Sequence, residues 1–284
     1  MTPVSYELSD RDHAHALLGD IDLDAHLLAI RQALGQHRRA EQQLQAELDR
    51  LVEDARSANG AWAQRLVDIR VDLLHGSVYQ DAAHSAAAVA LLAPLLEAVF
   101  TRLFEAIGRQ GWPRDAGERR RRADKLADPD ARFWDAQAYF PRRGEPTTNV
   151  LLGPGQLAEE AGLQAELPAD TWKVFDAIMN YRNFTLHNGL EWPPAKRAEF
   201  DVMVADKGWP SEWFTRSTSD RRTWIIYLSV DLIQRTLSLV DDVLDAAGRF
   251  AARNIEAHGF RFEDAGPADE PPEALVAAPA RSDP

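Results

Sequence analysis

The stretch DAAHSAAAVALLAPLLEAVFTRLFEAI, residues 81–107, decides the fold class. Val89, Leu91, Leu92, Leu95, Leu96, Val99, Phe100, Leu103, Phe104 and Ile107 fall on almost every side of an α-helix. A helix that is apolar on most sides belongs at the centre of its domain. Pro94 should kink it. N-terminal to it, Trp62, Leu66, Ile69 and Leu73 form one face of a shorter helix, which His75-Gly76 is expected to end. Earlier still, Leu23, Leu27, Ile30, Leu34, Leu44, Leu48 and Leu51 follow helical spacing, and Asn59-Gly60 reads as the stop. His37 and Glu41 interrupt that stripe. These two helices read as an antiparallel hairpin over residues 1–76, packed within the chain rather than against a coiled-coil partner.

C-terminal to the central helix, residues 109–155 are rich in Gly, Pro and Arg. Short helical turns are expected near Glu118–Leu126 and Arg132–Tyr139, and Gly153-Pro154-Gly155 reads as a turn. A compact helix is expected from an N-cap at Asp170 or Thr171 to His187, closed by Asn188-Gly189. Trp192-Pro193-Pro194 blocks its continuation. A Ser219-Asp220 cap should open the last helix, with a stripe of Ile225, Leu228, Leu232, Leu239, Val243 and Phe250. From Asp264 the helical pattern gives way to prolines, acids and alanines, the composition of a disordered tail over 264–284. No segment shows sustained period-two alternation. The expected class is all-α: a hairpin over 1–76, a helical domain over 77–263 and the tail.

Composition narrows the chemistry. The 284 residues carry a net charge of −13 and no cysteine. This excludes disulfides, a thiolate nucleophile, a Cys-ligated zinc and an iron–sulfur cluster. The acidity argues against non-specific coating of nucleic acid but leaves room for a local basic site. Arginine far outnumbers lysine and alanine is abundant, as in a GC-rich bacterial gene. Residues 1–12 have neither the basic nor the apolar region of a signal peptide. The run Ala86–Leu96, broken by Pro94 and followed by Glu97, is too short to span a bilayer. A cytoplasmic location with no membrane contact is therefore expected.

The segment from Asp176 to Gly189 holds the candidate chemistry. Asp176, Asn180, Asn183 and His187 are spaced four, three and four apart, so they return to one helical stripe. Such a polar stripe is not a core face. Arg182 lies about 140° round the axis from His187, within reach of a shared cleft. His187 stands in the last turn, where the helix dipole favours the imidazolium. An imidazole suits proton transfer and a guanidinium suits a phosphorane gaining charge. Together they point to phosphodiester chemistry without a metal. The structural alternative is that Arg182 and His187 bond last-turn carbonyls and Asp176 pairs with an arginine on another helix.

Arg182-Asn183-Phe184-Thr185-Leu186-His187 resembles the Arg-polar-x-x-x-His signature of the HEPN superfamily. Its setting late in a helix of an all-α chain, with another long helix after it, is also similar. The motif covers six residues and the compatible architecture residues 81–258. The resemblance implies a HEPN-like bundle, usually homodimeric, with two motifs across one cleft. It implies a metal-independent endoribonuclease cutting single-stranded RNA, as in toxin–antitoxin and antiphage defence systems. Arg182 and His187 would be catalytic, with Asn183 at the polar position. Asp176 would support them by fixing the His tautomer or pairing with Arg182. The implied partners are RNA, a second copy and a neutralising or effector protein, with no cofactor. Family members that have lost the motif serve as binding modules, so the alternative is a non-catalytic module for a nucleotide, an RNA or a protein. One departure is Gly189, where a subgroup of HEPN toxins carries a tyrosine modified by a nucleotidyltransferase; that pairing is not expected here.

Elsewhere, Arg119, Arg120, Arg121 and Arg122 make residues 109–143 basic, with Trp112, Phe133, Trp134, Tyr139 and Phe140 interleaved. Guanidinium groups beside aromatic rings hold single-stranded RNA, so these arginines are candidate RNA contacts. The same pattern fits a solvated helix face plus core aromatics. His13-Ala14-His15 lacks a third ligand, and no metal is expected. His84 and Glu97 of the central helix read either as bordering the Arg182–His187 cleft or as lone polar residues at the helix's edge.

Overall fold

A computed structural model describes residues 8–19, 21–112 and 133–261. The chain is all-α, with two small antiparallel hairpins among the described residues. The helices are α1 (Asp10–Leu18), α2 (Leu23–Ser57), α3 (Ala61–Gln110), α4 (Leu152–Ala161), α5 (Thr171–Asn188), α6 (Pro194–Asp206) and α7 (Val230–His258). Strands β1 (Ala138–Tyr139) and β2 (Thr147–Thr148) pair, as do β3 (Phe214–Ser219) and β4 (Arg222–Leu228). The turn expected over 118–126 and the tail expected over 264–284 lie outside the described residues.

α3 is the axis of the molecule. Its residues from Ala82 to Ile107 are largely buried, and it packs against α2, α5, α7 and β4. The expected helix end at His75-Gly76 does not occur, because Gly76 lies inside this 50-residue helix. A glycine in a helix interior costs about 1 kcal/mol. Here α2 lies along α3 past that point, and His37 of α2 meets His84 beyond the glycine. Packing outweighs the local cost, and the boundary expected at 76/77 falls within one helix. The helix is also longer than the run 86–96 suggests. By length and composition α3 is long and apolar enough to cross a membrane, with a mean hydropathy of 1.8 over its best window, although over half of that window is buried in this fold.

The polar gap in the α2 stripe has a counterpart on α3. Leu23, Leu27, Leu34 and Leu48 are buried, while His37 stacks on His84 with ring centroids 3.8 Å apart. α1, a helix not expected from the sequence although Ser9 and Asp12 form a capping box at its start, docks on α7. It comes so close at Gly248 that a Cβ there would lie 1.7 Å from the Asp10 carbonyl oxygen.

Three local expectations are corrected. Gly153-Pro154-Gly155 lies in the first turns of α4, not in an isolated turn. The helical turn expected over 132–139 is, in its described part, a pair of turns leading into β1. Ser219-Asp220 does not cap a helix. Asp220 and Arg221, with φ of 49° and 62°, form the two-residue turn of the β3–β4 hairpin, where positive φ matches the twist of the strands. Ile225 and Leu228 therefore belong to β4, and Ser229 caps α7 by accepting from the Leu232 amide at 3.2 Å.

Candidate functional site

α5 carries the candidate motif and is anchored through its apolar side. Val174, Phe175, Ala177, Ile178, Met179 and Tyr181 are buried. The Tyr181 hydroxyl donates to the Ile226 carbonyl of β4 at 3.1 Å. Burial raises the phenol pKa far above its ordinary value, so Tyr181 is a neutral structural donor. Asp170 stands at the N-cap position without capping through its side chain. Its carboxylate instead takes two bonds from Arg235 of α7, at 2.8 and 2.5 Å, which hold it below the usual carboxylate range.

The C-terminal end of α5 is equally fixed. Gly189 takes φ 72° and its amide closes on the Thr185 carbonyl at 2.9 Å. The Trp192 indole, buried with Tyr181, Phe184 and Phe200, donates to the Gly189 carbonyl at 2.9 Å. Trp192 thus does more than end a helix. It pins the backbone that follows His187.

On this scaffold the polar stripe runs from half-buried to exposed. Asp176 and Asn180 are half-buried, whereas Asn183 and His187 are exposed. Asp176 accepts from Lys207 Nζ at 2.9 and 2.7 Å and from Asn180 Nδ2 at 2.8 Å. Its partners are therefore not Arg182 or His187, the two roles that the resemblance implies for it. Arg182 turns toward α3 and donates to Glu97 Oε1 at 3.1 Å. Neither residue of the motif bonds last-turn carbonyls; Asn188 does, through the Phe184 carbonyl at 2.8 Å. No hydrogen bond or ion pair engages the side chain of His187 or of Asn183 among the described residues. Glu97 thus borders Arg182 as expected. His84 does not reach it: thirteen residues of α3, about 20 Å of helix, separate it from Glu97.

His84 instead belongs to a second titratable cluster, of which the sequence marks His37, Glu41 and His84 separately but not their meeting. It comprises His37 and Glu41 of α2, Asp81 and His84 of α3, and Tyr227 of β4. His37 Nε2 lies 3.4 Å from Asp81 Oδ1, and Tyr227 stands beside Asp81. Burial, then the nearby His37, pushes His84 down to about 4. Burial and Glu41 raise Asp81, and burial with Asp81 beside it pushes Tyr227 up to about 12. The two stacked imidazoles face each other rather than a common ion. No group of three His, Cys, Asp or Glu side chains is arranged for a metal among the described residues. His13 and His15 are taken by the Ser9 carbonyl at 2.9 Å and the Asp24 carboxylate at 2.8 Å.

Arg119, Arg120, Arg121 and Arg122 lie outside the described residues. In what is described, Trp112, Phe133 and Phe140 are buried core residues, so these three aromatics are not available to stack bases. No family model, curated protein or solved structure matches the chain.

Proposed function

We propose that the protein is a metal-independent endoribonuclease of HEPN type that cleaves single-stranded RNA, in a bacterial defence or toxin–antitoxin setting. The observation that carries this reading is the state of His187: an exposed, unengaged imidazole in the last turn of α5, on backbone held by Gly189 and Trp192. A core histidine is buried and bonded; this one is presented to solvent. In the proposed reaction the ribose 2′-oxygen attacks the adjacent phosphorus and its proton passes to His187. The bond to the 5′-oxygen breaks, and that oxygen takes a proton from the histidine of a second copy. The products are a 2′,3′-cyclic phosphate and a 5′-hydroxyl. Arg182 supplies positive charge to the phosphorane, with Glu97 orienting its guanidinium. Asn183, exposed on the same stripe, orients the catalytic groups.

Purified protein in EDTA should cut RNA, leave cyclic phosphate ends and spare DNA, which lacks the attacking hydroxyl. His187→Ala and Arg182→Ala should lose the activity while keeping the fold. Cleavage that requires a metal, or full activity in both variants, would refute the mechanism.

The Arg182–Glu97 pair favours a second reading. A guanidinium already neutralised by a carboxylate is a weaker phosphate clamp, which suits a non-catalytic module that binds a nucleotide, an RNA or a protein. RNA binding without any cleavage by the wild type would select it.

A further inference from the structure

Beyond the α5 motif, the end of the molecule formed by α6 and the β3–β4 hairpin holds an open cavity of about 500 Å³, with Trp224, Arg222, Thr223 and Arg197 in its walls. Its aromatic wall, Trp224, is packed by two rings of α3. His75 of α3 stacks on the Trp224 indole at 4.6 Å, and Tyr79, one turn further on, meets it edge-on at 5.2 Å. An indole held in this way offers a rigid platform and loses little freedom when a ring stacks on it.

The electrostatics of the pocket run against those of the chain. The protein is acidic, with a net charge of −13, and nine arginines among the described residues are paired with carboxylates. Arg197, Arg221 and Arg222 have no carboxylate partner among the described residues. Arg197 is pinned by main-chain carbonyls, those of Thr223 and of Trp224, the latter at 2.8 Å. These hold the guanidinium in place without cancelling its charge. Of the acids nearby, Asp201 is bound by Arg216 at 2.8 Å, and Asp220 at the turn has no cation partner among the described residues. A fixed aromatic face beside unneutralised guanidinium groups suits a planar base carrying a phosphate.

The pocket is also tied to the α5 motif. The Tyr79 hydroxyl donates to Glu191 at 2.9 Å, and Glu191 follows His187 by four residues, at most about 14 Å of chain. We propose that this pocket is a subsite for single-stranded RNA, in which a base of the bound strand stacks on Trp224 and its phosphate lies against Arg197 and Arg222. The proposal rests on the ribonuclease reading for its substrate class, and it is tested separately from cleavage.

The test uses the full chain carrying His187→Ala, which should bind RNA without cutting it. A fluorescein-labelled single-stranded oligoribonucleotide is titrated and followed by anisotropy at two salt concentrations. Adding Trp224→Ala should weaken binding about tenfold or more, whereas Trp224→Phe should retain most of it. Adding Arg222→Glu, an exposed change that leaves the core untouched, should also weaken binding and flatten the salt dependence. Unchanged affinity in Trp224→Ala and Arg222→Glu, or no binding by the parent, would overturn the subsite. If Trp224→Ala does not fold, Arg222→Glu and Trp224→Phe decide the matter. If RNA binds through Trp224 but the wild type never cuts it, the subsite stands and the ribonuclease reading falls. Cutting that ignores both substitutions gives the opposite result.

Discussion

Arg182 of α5 donates to Glu97 of α3 at 3.1 Å, although 85 residues separate the two. Both side chains keep about a third of their surface, 31% and 27%, so solvent screens the pair and its contribution to stability is below about 1 kcal/mol. Its effect on a bound anion is larger, because Glu97 opposes any phosphate that approaches the guanidinium. Glu97→Gln should therefore barely move the denaturant midpoint and should strengthen RNA binding severalfold at low salt. Anisotropy titrations of the two proteins give the answer. Unchanged or weaker binding would place Arg182 outside the path of the RNA.

The stacked His37–His84 pair gives the acid limb of stability a direction. His84 is held at about 4 against an ordinary 6.5. Above pH 6.5 it is neutral in the folded and unfolded chain, and its contribution is complete. As the pH falls from 6.5 toward 4 the unfolded chain takes the proton first, so stability drops. The full shift corresponds to about 3 kcal/mol, and with the ring only half-buried about 1 kcal/mol is expected. Asp81 works in the opposite sense: its raised carboxyl takes a proton more readily in the folded state and returns part of the loss at lower pH. His84→Gln should flatten the fall in urea midpoint between pH 7 and pH 4.5. An equally steep fall in the variant would assign it to other groups.

The helices that carry the site were legible because their faces are long and strongly periodic. The interruption of the α2 stripe at His37 and Glu41 was visible too, but its counterpart at Asp81 and His84 was not, since nothing local announces which polar gaps will meet. The β3–β4 hairpin was missed for a physical reason. Ile225, Leu228 and Leu232 fit helical spacing as well as strand followed by helix, an ambiguity inherent in short apolar runs. β3, with Thr215, Arg216, Ser217 and Thr218, has no apolar face to alternate. α1 has only Ala14, Leu17 and Leu18 to bury. The motif's placement on α5 was legible, whereas the partners of Arg182 and Asp176, Glu97 and Lys207, depend on packing between distant segments.

Gly248 is the tightest point between α1 and α7. A methyl group there would meet the backbone carbonyl of Asp10 at 1.7 Å, and neither helix backbone can yield as a flexible side chain would. Gly248→Ala should cost about 1–3 kcal/mol or release α1. Hydrogen exchange separates the two outcomes: release would raise exchange in Asp10–Leu18 while the amides of α3 keep their protection. A variant as stable as the wild type, with α1 still protected, would contradict the close approach.

The geometry of α5 also bears on how one ribonuclease site is assembled. Within a chain, Arg182 turns to Glu97 while His187 faces solvent in the last turn, and no hydrogen bond or ion pair joins them. A single helix therefore does not close the pair on one phosphate. The proposed two-fold dimer resolves this if each cleft takes Arg182 from one chain and His187 from the other. Mixing inactive Arg182→Ala chains with inactive His187→Ala chains then restores part of the activity, because each mixed dimer contains one cleft with Arg182 and the His187 base intact and lacks only the second histidine as acid. With random exchange of subunits the recovery should stay below about a quarter of wild-type activity, since the acid histidine is missing from the restored cleft. If both groups of a cleft come from the same chain, mixing recovers nothing. An RNase assay after subunit exchange, with dimer exchange verified by mass, distinguishes the two arrangements, and a failure to dimerise would remove the composite site altogether.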